Sequence, residues 1–158
     1  MKKYPKMKPS GVEWIGEVPE GWAIKKIKHT TYVKGRVGWK GLRSDEFLET
    51  GFAFLITGTD FKEGKVDWKT CYQISEERYE DDPFIQLREN DLLITKDGTI
   101  GKLAVVENLD GFASLNSGIF VVRPIFDFYH SKFLYYILSS KAFTEYVDFT
   151  KSGSTISH

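Results

Sequence analysis

The chain has 158 residues with 22 Lys+Arg against 22 Asp+Glu, and this balance excludes a polycation of the histone or ribosomal-tail kind. Its length suits one globular domain burying about 70% of the unfolded surface, and 41% apolar with 15% aromatic residues is ample for a core, so disorder is excluded too. Cys71, the single cysteine, cannot form an internal disulfide, no apolar run approaches the ~18 residues of a membrane span, and Met1-Lys-Lys-Tyr-Pro is no signal core, so a cytoplasmic chain without membrane contact is expected.

The neutral total is unevenly spread. Residues 1–40 carry ten basic and three acidic side chains, a net of +7, and the remaining 118 carry 12 and 19, a net of −7. One face can therefore hold a polyanion while the whole molecule stays neutral.

In chain order, residues 8–22 hold two prolines and three glycines and are expected to form an irregular opening segment pinned by Trp14, Ile15, Val18 and Trp22. Trp22, Ile24 and Ile27 alternate loosely with lysines and predict a half-buried strand. Lys34-Gly-Arg-Val-Gly-Trp-Lys-Gly-Leu-Arg43 predicts a loop. Gly51-Phe-Ala-Phe-Leu-Ile-Thr57, Asp91-Leu-Leu-Ile-Thr95, Ile100-Gly-Lys-Leu-Ala-Val-Val106 and Ser117-Gly-Ile-Phe-Val-Val-Arg123 predict strands, with a tight turn over 58–65. Apolar residues at three-and-four spacing predict helices over 129–138 and 141–149. The architecture expected is α+β, a mostly β core with short helices toward the C-terminus, in one domain spanning 1–158.

Enzyme motifs fail on spacing. Gly58 to Lys65 approaches a phosphate-binding loop, yet five residues separate its glycines where four are needed, and Val66 stands where Ser/Thr would hold magnesium. Asp82-Pro83-Phe84 lacks the second proline of an amino-methyltransferase signature. Asp60, Glu63 and Lys65 could be forced into a metal-dependent nuclease pattern but read as an exposed turn. His29, His130 and His158 have no partner at a ligand spacing, so no metal site is expected.

Three segments suit binding. Arg36-Val-Gly-Trp39-Lys40-Gly-Leu-Arg43 interleaves basic groups and a large ring with glycines that let a ligand approach. Thr95-Lys96-Asp97-Gly-Thr99-Ile-Gly-Lys102 puts donors and acceptors on one turn, and Ser114-Leu-Asn116-Ser-Gly118 supplies an amide able to pair with adenine.

The order of these segments resembles a target recognition domain of the specificity subunit of type I restriction-modification enzymes. The resemblance runs through Lys8 to Trp22, Phe54-Leu-Ile-Thr-Gly-Thr-Asp60 with Gly64-Lys-Val-Asp67, Glu76-Glu-Arg-Tyr79, Asp91 to Lys102, Leu115-Asn-Ser-Gly118, Phe133-Leu-Tyr-Tyr-Ile-Leu138 and Gly153-Ser-Thr-Ile-Ser-His158. It implies a non-catalytic module reading one half of a split double-stranded DNA target. In that family two such domains are joined by long paired helices that dock the modification subunits. S-adenosylmethionine belongs to the modification subunits, ATP and magnesium to the restriction subunits, which such a domain meets only indirectly. Here the chain stops at His158, where the family passes into its connecting helix, so docking to the modification subunit is expected to be weak. The alternative is a truncated module acting mainly through protein contact with that subunit.

The residues expected to meet DNA are Arg36, Trp39, Lys40 and Arg43 in the first loop, Thr57, Thr59 and Lys62 after the apolar strand, Lys96, Asp97, Thr99 and Lys102 in the hairpin, and Asn116. Lysines suit phosphates, whereas Arg, Asn, Asp and Thr suit base edges. With a radius of gyration of ~15 Å, the domain would cover on the order of one duplex turn.

Overall fold

The apolar runs in the middle of the chain become strands covered on both faces, as their continuous Leu, Ile and Val content requires. The structure, a computed structural model, describes residues 4, 6–126 and 129–145. The predicted signature 153–158 and the end of the second predicted helix, 146–149, lie outside the described residues, although 141–145 is helical as expected.

The opening segment is more regular than expected. β1 (Met7–Pro9) and β2 (Glu17–Pro19) form an antiparallel ribbon of their own. Both prolines sit at ladder ends, Pro9 opposite Glu17 and Pro19 opposite Met7, where a missing N–H is tolerated. Val18 is buried, and the Trp14 ring meets Phe143 edge-on at 5.8 Å. The strand predicted over 22–27 is absent. Trp22 and Ile24 stay 40% and 45% exposed, and α1 (Ile27–Thr30) follows. The strand lies next in the chain, β3 (Thr31–Gly35), because these residues and not the preceding ones find a ladder partner.

β4 (Ala53–Ile56), β8 (Leu92–Thr95), β9 (Leu103–Val105) and β11 (Ile119–Pro124) realise the predicted strands. β5 (Phe61–Lys62) and β6 (Lys65–Val66) frame the predicted tight turn. Glu63 and Gly64 both have positive φ, 52° and 76°, as a two-residue hairpin demands. β7 (Tyr72–Ile74), β10 (Phe112–Leu115) and α2 (Glu76–Glu80) were not predicted. The last is capped by Ser75, whose hydroxyl accepts from the Arg78 N–H. α3 (Ser131–Ser139) answers to the first predicted helix.

Among the described residues two further sheets stack. One has order β3-β11-β8-β9-β6-β5 and the other β10-β4-β7, with β4 and β10 parallel. Strand alternation sorts side chains between layers. Leu93 and Val121 point with Ile56 and Leu115 into the core between the sheets, whereas Leu92 and Val122 point with Leu134 of α3 into the outer one. Leu55 and Ile74 face a third cluster with Leu42, Phe47 and Tyr79.

Glu107 ties α3 to the sheet, 3.2 Å from Lys65 Nζ and 3.3 Å from Lys132 Nζ. Hydrogen bonds from Lys65 and then Lys132 hold its carboxyl below the ordinary 4.5. A carboxyl depressed in the folded state stabilises fully above its ordinary value and loses that contribution as pH falls through the lowered one. Glu107→Gln should therefore melt below the wild type near neutrality, and the gap should close in acid below pH 4.5. A gap unchanged there would rule the clamp out.

Candidate nucleic-acid interface

Four connections emerge at one edge of the stacked sheets: 35–43 after β3, 57–60 after β4, 96–102 between β8 and β9, and 116–118 between β10 and β11. The parallel pairing of β4 with β10 puts both of their C-terminal ends there. Backbone and side-chain bonds then lock the loops together. Asn116 N–H donates to Ile56 O at 2.9 Å and Lys96 N–H to Gly118 O at 2.8 Å. Lys102 Nζ donates to Gly58 O at 2.8 Å and Arg36 Nε to Leu115 O at 2.8 Å. Eleven of the twelve residues expected to meet DNA lie in these four connections or at the strand ends they leave; Lys62 lies outside them, in the outer strand β5.

They divide by what their side chains do. Arg36 departs from expectation, being 3% exposed. Besides Leu115 O, its guanidinium donates to Ser114 Oγ at 3.2 Å and Lys40 O at 3.4 Å, so it reaches no external phosphate or base. Burial lowers its proton affinity, and the nearby Asp82 carboxylate works against that shift. Three more are committed inward. Lys40 Nζ donates to Asp81 O at 2.5 Å and lies 4.9 Å from the Trp39 ring centre. Lys102 holds Gly58, and Thr57 Oγ1 donates to Asp60 Oδ2 at 3.1 Å.

Trp39 projects with 83% of its surface exposed, and Arg43, Thr59, Asp97 and Thr99 are exposed on the rim loops, as is Lys62 on the outer strand β5. Arg43 is paired only with the exposed Asp45, at 3.3 Å. Lys96 and Asn116 are half-buried, the Lys96 ammonium 4.8 Å from the centre of the Phe120 ring. At Gly118, with φ +90°, an added Cβ would sit 3.1 Å from Asp97 Oδ2, so glycine lets the two loops touch.

Sequence reasoning missed Ile100, 64% exposed at the tip of the 96–102 turn, because it was read as the first residue of a strand. A β-branched side chain among Gly, Asp and Thr was the available signal, since an exposed apolar tip suits a thymine methyl. Asp60 is not an exposed turn residue. It is 2% exposed and accepts from Thr57 N–H at 2.8 Å and Thr70 Oγ1 at 2.7 Å. Among the described residues no His, Cys, Asp or Glu group is arranged to hold a metal ion, and no helix is long and apolar enough to cross a membrane. Burial pushes the Cys71 thiol up, away from the reactive thiolate.

A rigid β scaffold that gathers a bulky ring, guanidinium, ammonium, hydroxyl, carboxylate and amide groups from four loops onto one edge defines a recognition module. The family model of the type I restriction modification DNA specificity domain matches residues 19–158, and the chain belongs to that family. The specificity subunit of the type I restriction enzyme MjaVIII from Methanocaldococcus jannaschii is 27% identical over 136 residues, covering 82% of this chain and 30% of that protein. The HsdS subunit from Thermoanaerobacter tengcongensis shares the fold with a TM-score of 0.59 at 16% identity, over 84% of this chain and 29% of that one. A chain from a structure of the type I R-M system does so at 0.57 and 18%, over 77% of this chain and 28% of its own length. The chain thus spans less than a third of each of these relatives.

Proposed function

We propose that this chain reads one half of a split double-stranded DNA target by setting its rim into the major groove, within a cytoplasmic type I restriction-modification complex. The observation that carries this reading is the convergence of four interlocked loops on one edge. In this reading Arg43, Asp97, Thr99 and Asn116 face base edges, Trp39 and Ile100 supply apolar contact, and Lys62 and Lys96 anchor phosphates. Arg36, Lys40, Thr57 and Lys102 shape the rim from within. The chain itself does no chemistry: adenine methylation with S-adenosylmethionine belongs to the modification subunits, and ATP- and magnesium-dependent cleavage to the restriction subunits.

Grafting the chain into a complete specificity subunit and sequencing the methylated sites tests the reading. The half-target should change to a new one, and an unchanged half-target would sink the proposal. Single variants sort the rim further. Lys62→Ala should weaken binding evenly across sequences and make the log-log salt slope shallower by about 1, as loss of one phosphate contact does. Arg43→Ala should cost about 1–3 kcal/mol on the target duplex and relax discrimination at one base pair.

A further inference from the structure

The loop that carries Trp39 and Arg43 has little apolar anchorage of its own. Neither of its 3-10 turns, Gly38–Lys40 and Ser44–Glu46, buries a residue, and of the residues between them Leu42 packs against a core cluster. Polar contacts hold it instead, and they converge on one side chain from α2. Arg78 Nη2 donates to the carbonyls of Lys40 at 3.0 Å and Gly41 at 3.2 Å. Its Nε lies 2.9 Å from Glu46 Oε1, and its Nη1 donates to Asp81 Oδ2 at 2.9 Å. Both carboxylate-bearing residues hold the loop in turn. Glu46 accepts from the Arg43 N–H at 2.8 Å, and the Asp81 carbonyl accepts from Lys40 Nζ. The Arg78 side chain is only 22% exposed, so the guanidinium supports the loop from behind.

We infer that Arg78 is a positioning residue for recognition, fixing 38–46 in one conformation before DNA arrives so that Trp39 and Arg43 need not be ordered on binding. The inference rests on the DNA reading proposed above. A segment ordered in advance loses less conformational freedom on association, and the difference appears as affinity without any added contact. Only a planar fork can donate to two carbonyls and the Asp81 carboxylate while its Nε edge faces Glu46 as an ion pair, so lysine is no substitute.

The test uses Arg78→Lys, Arg78→Ala and the milder Glu46→Gln. Amide hydrogen exchange on the free chain should quicken over 37–47 in both Arg78 variants, and less in Glu46→Gln, while β8 and β11 keep their protection. In complete specificity subunits carrying the chain, Arg78→Lys should weaken binding to a duplex bearing the mapped half-target by on the order of tenfold. Binding to a scrambled duplex should hardly change, and the salt slope should stay that of the wild type. A slope shallower by about 1 with unchanged exchange would make Arg78 a phosphate contact and overturn the inference. So would wild-type exchange and discrimination in Arg78→Lys. Protection lost across β8 and β11 in Arg78→Lys and Glu46→Gln alike would reduce the residue to general stability and overturn it too. A wild-type graft with no preference between the two duplexes would instead overturn the DNA reading itself.

Discussion

Arg123→Ala should lower the unfolding free energy by about 3–5 kcal/mol, because it strands a buried carboxylate. Asp91, at the start of β8, is 2% exposed. Its oxygens accept Arg123 Nε and Nη2, each at 2.7 Å, and Oδ2 also accepts the Arg88 N–H at 2.7 Å. The Arg123 guanidinium also donates to Gln86 O at 3.2 Å and lies 5.2 Å from the Tyr32 ring centre. The Asp91 hydrogen bonds raise the proton affinity of Arg123 against its own desolvation. Taking away the cation leaves an ionised group that water does not reach, whereas replacing both partners by apolar residues removes the problem. Urea titration at constant m-value should thus find Asp91→Leu/Arg123→Met less damaged than Arg123→Ala. A loss below about 1 kcal/mol in the single variant would mean the pair behaves as a surface ion pair.

Arg36→Ala should cost about 1–3 kcal/mol, the penalty of leaving buried acceptors without their donor, and should also abolish target recognition without removing a DNA contact. The substitution deprives Leu115 O and Ser114 Oγ of their donor in the interior. It also removes a buried cation that the Asp82 carboxylate, 4% exposed and with no hydrogen-bond partner at Oδ2, acts on. Arg36 joins the end of β3 to the end of β10, so its loss unties two of the four rim loops. Trp39→Ala is the contrasting case: with 83% of its surface exposed, the ring should leave stability within about 0.5 kcal/mol while binding falls. If Arg36→Ala instead unfolds like Trp39→Ala, the inward assignment of its guanidinium fails.

Those two arginines also mark the limit of what the sequence makes legible. Strands whose apolar runs stand between glycine or aspartate, such as Leu92–Thr95 and Ile119–Pro124, are readable because both faces must be dry. Phe112–Leu115 is not, since Phe-Ala-Ser-Leu has no strong alternation and becomes a strand by pairing in parallel with Ala53–Ile56, far off in sequence. β1 and β2 are hidden by prolines that happen to fall at ladder ends. For the site, glycine, lysine and threonine clusters mark which segments become loops, and those at 35–43, 57–60, 96–102 and 116–118 reach the rim. Which cations of 36–43 turn inward is decided by acceptors far off in sequence, Ser114 and Leu115 of β10 for Arg36 and the Asp81 carbonyl for Lys40. Local pattern carries no trace of them. Arg78 escapes for the same reason, as a helical arginine beside glutamates looks like ordinary solvated surface until the loop it supports is seen.

The parallel pairing of β4 with β10, and the antiparallel pairing of β3 with β11, have a kinetic meaning. Each closes a long span of chain before any enthalpy is returned, which is the signature of slow folding for a given size. The rim is expected to form late and all at once: until residues near 115 have met those near 36 and 56, its loops have nothing to be tied to. A nascent or nicked chain therefore holds no partial version of the edge, and under the DNA reading proposed above it would carry no weaker or altered sequence preference into a complex.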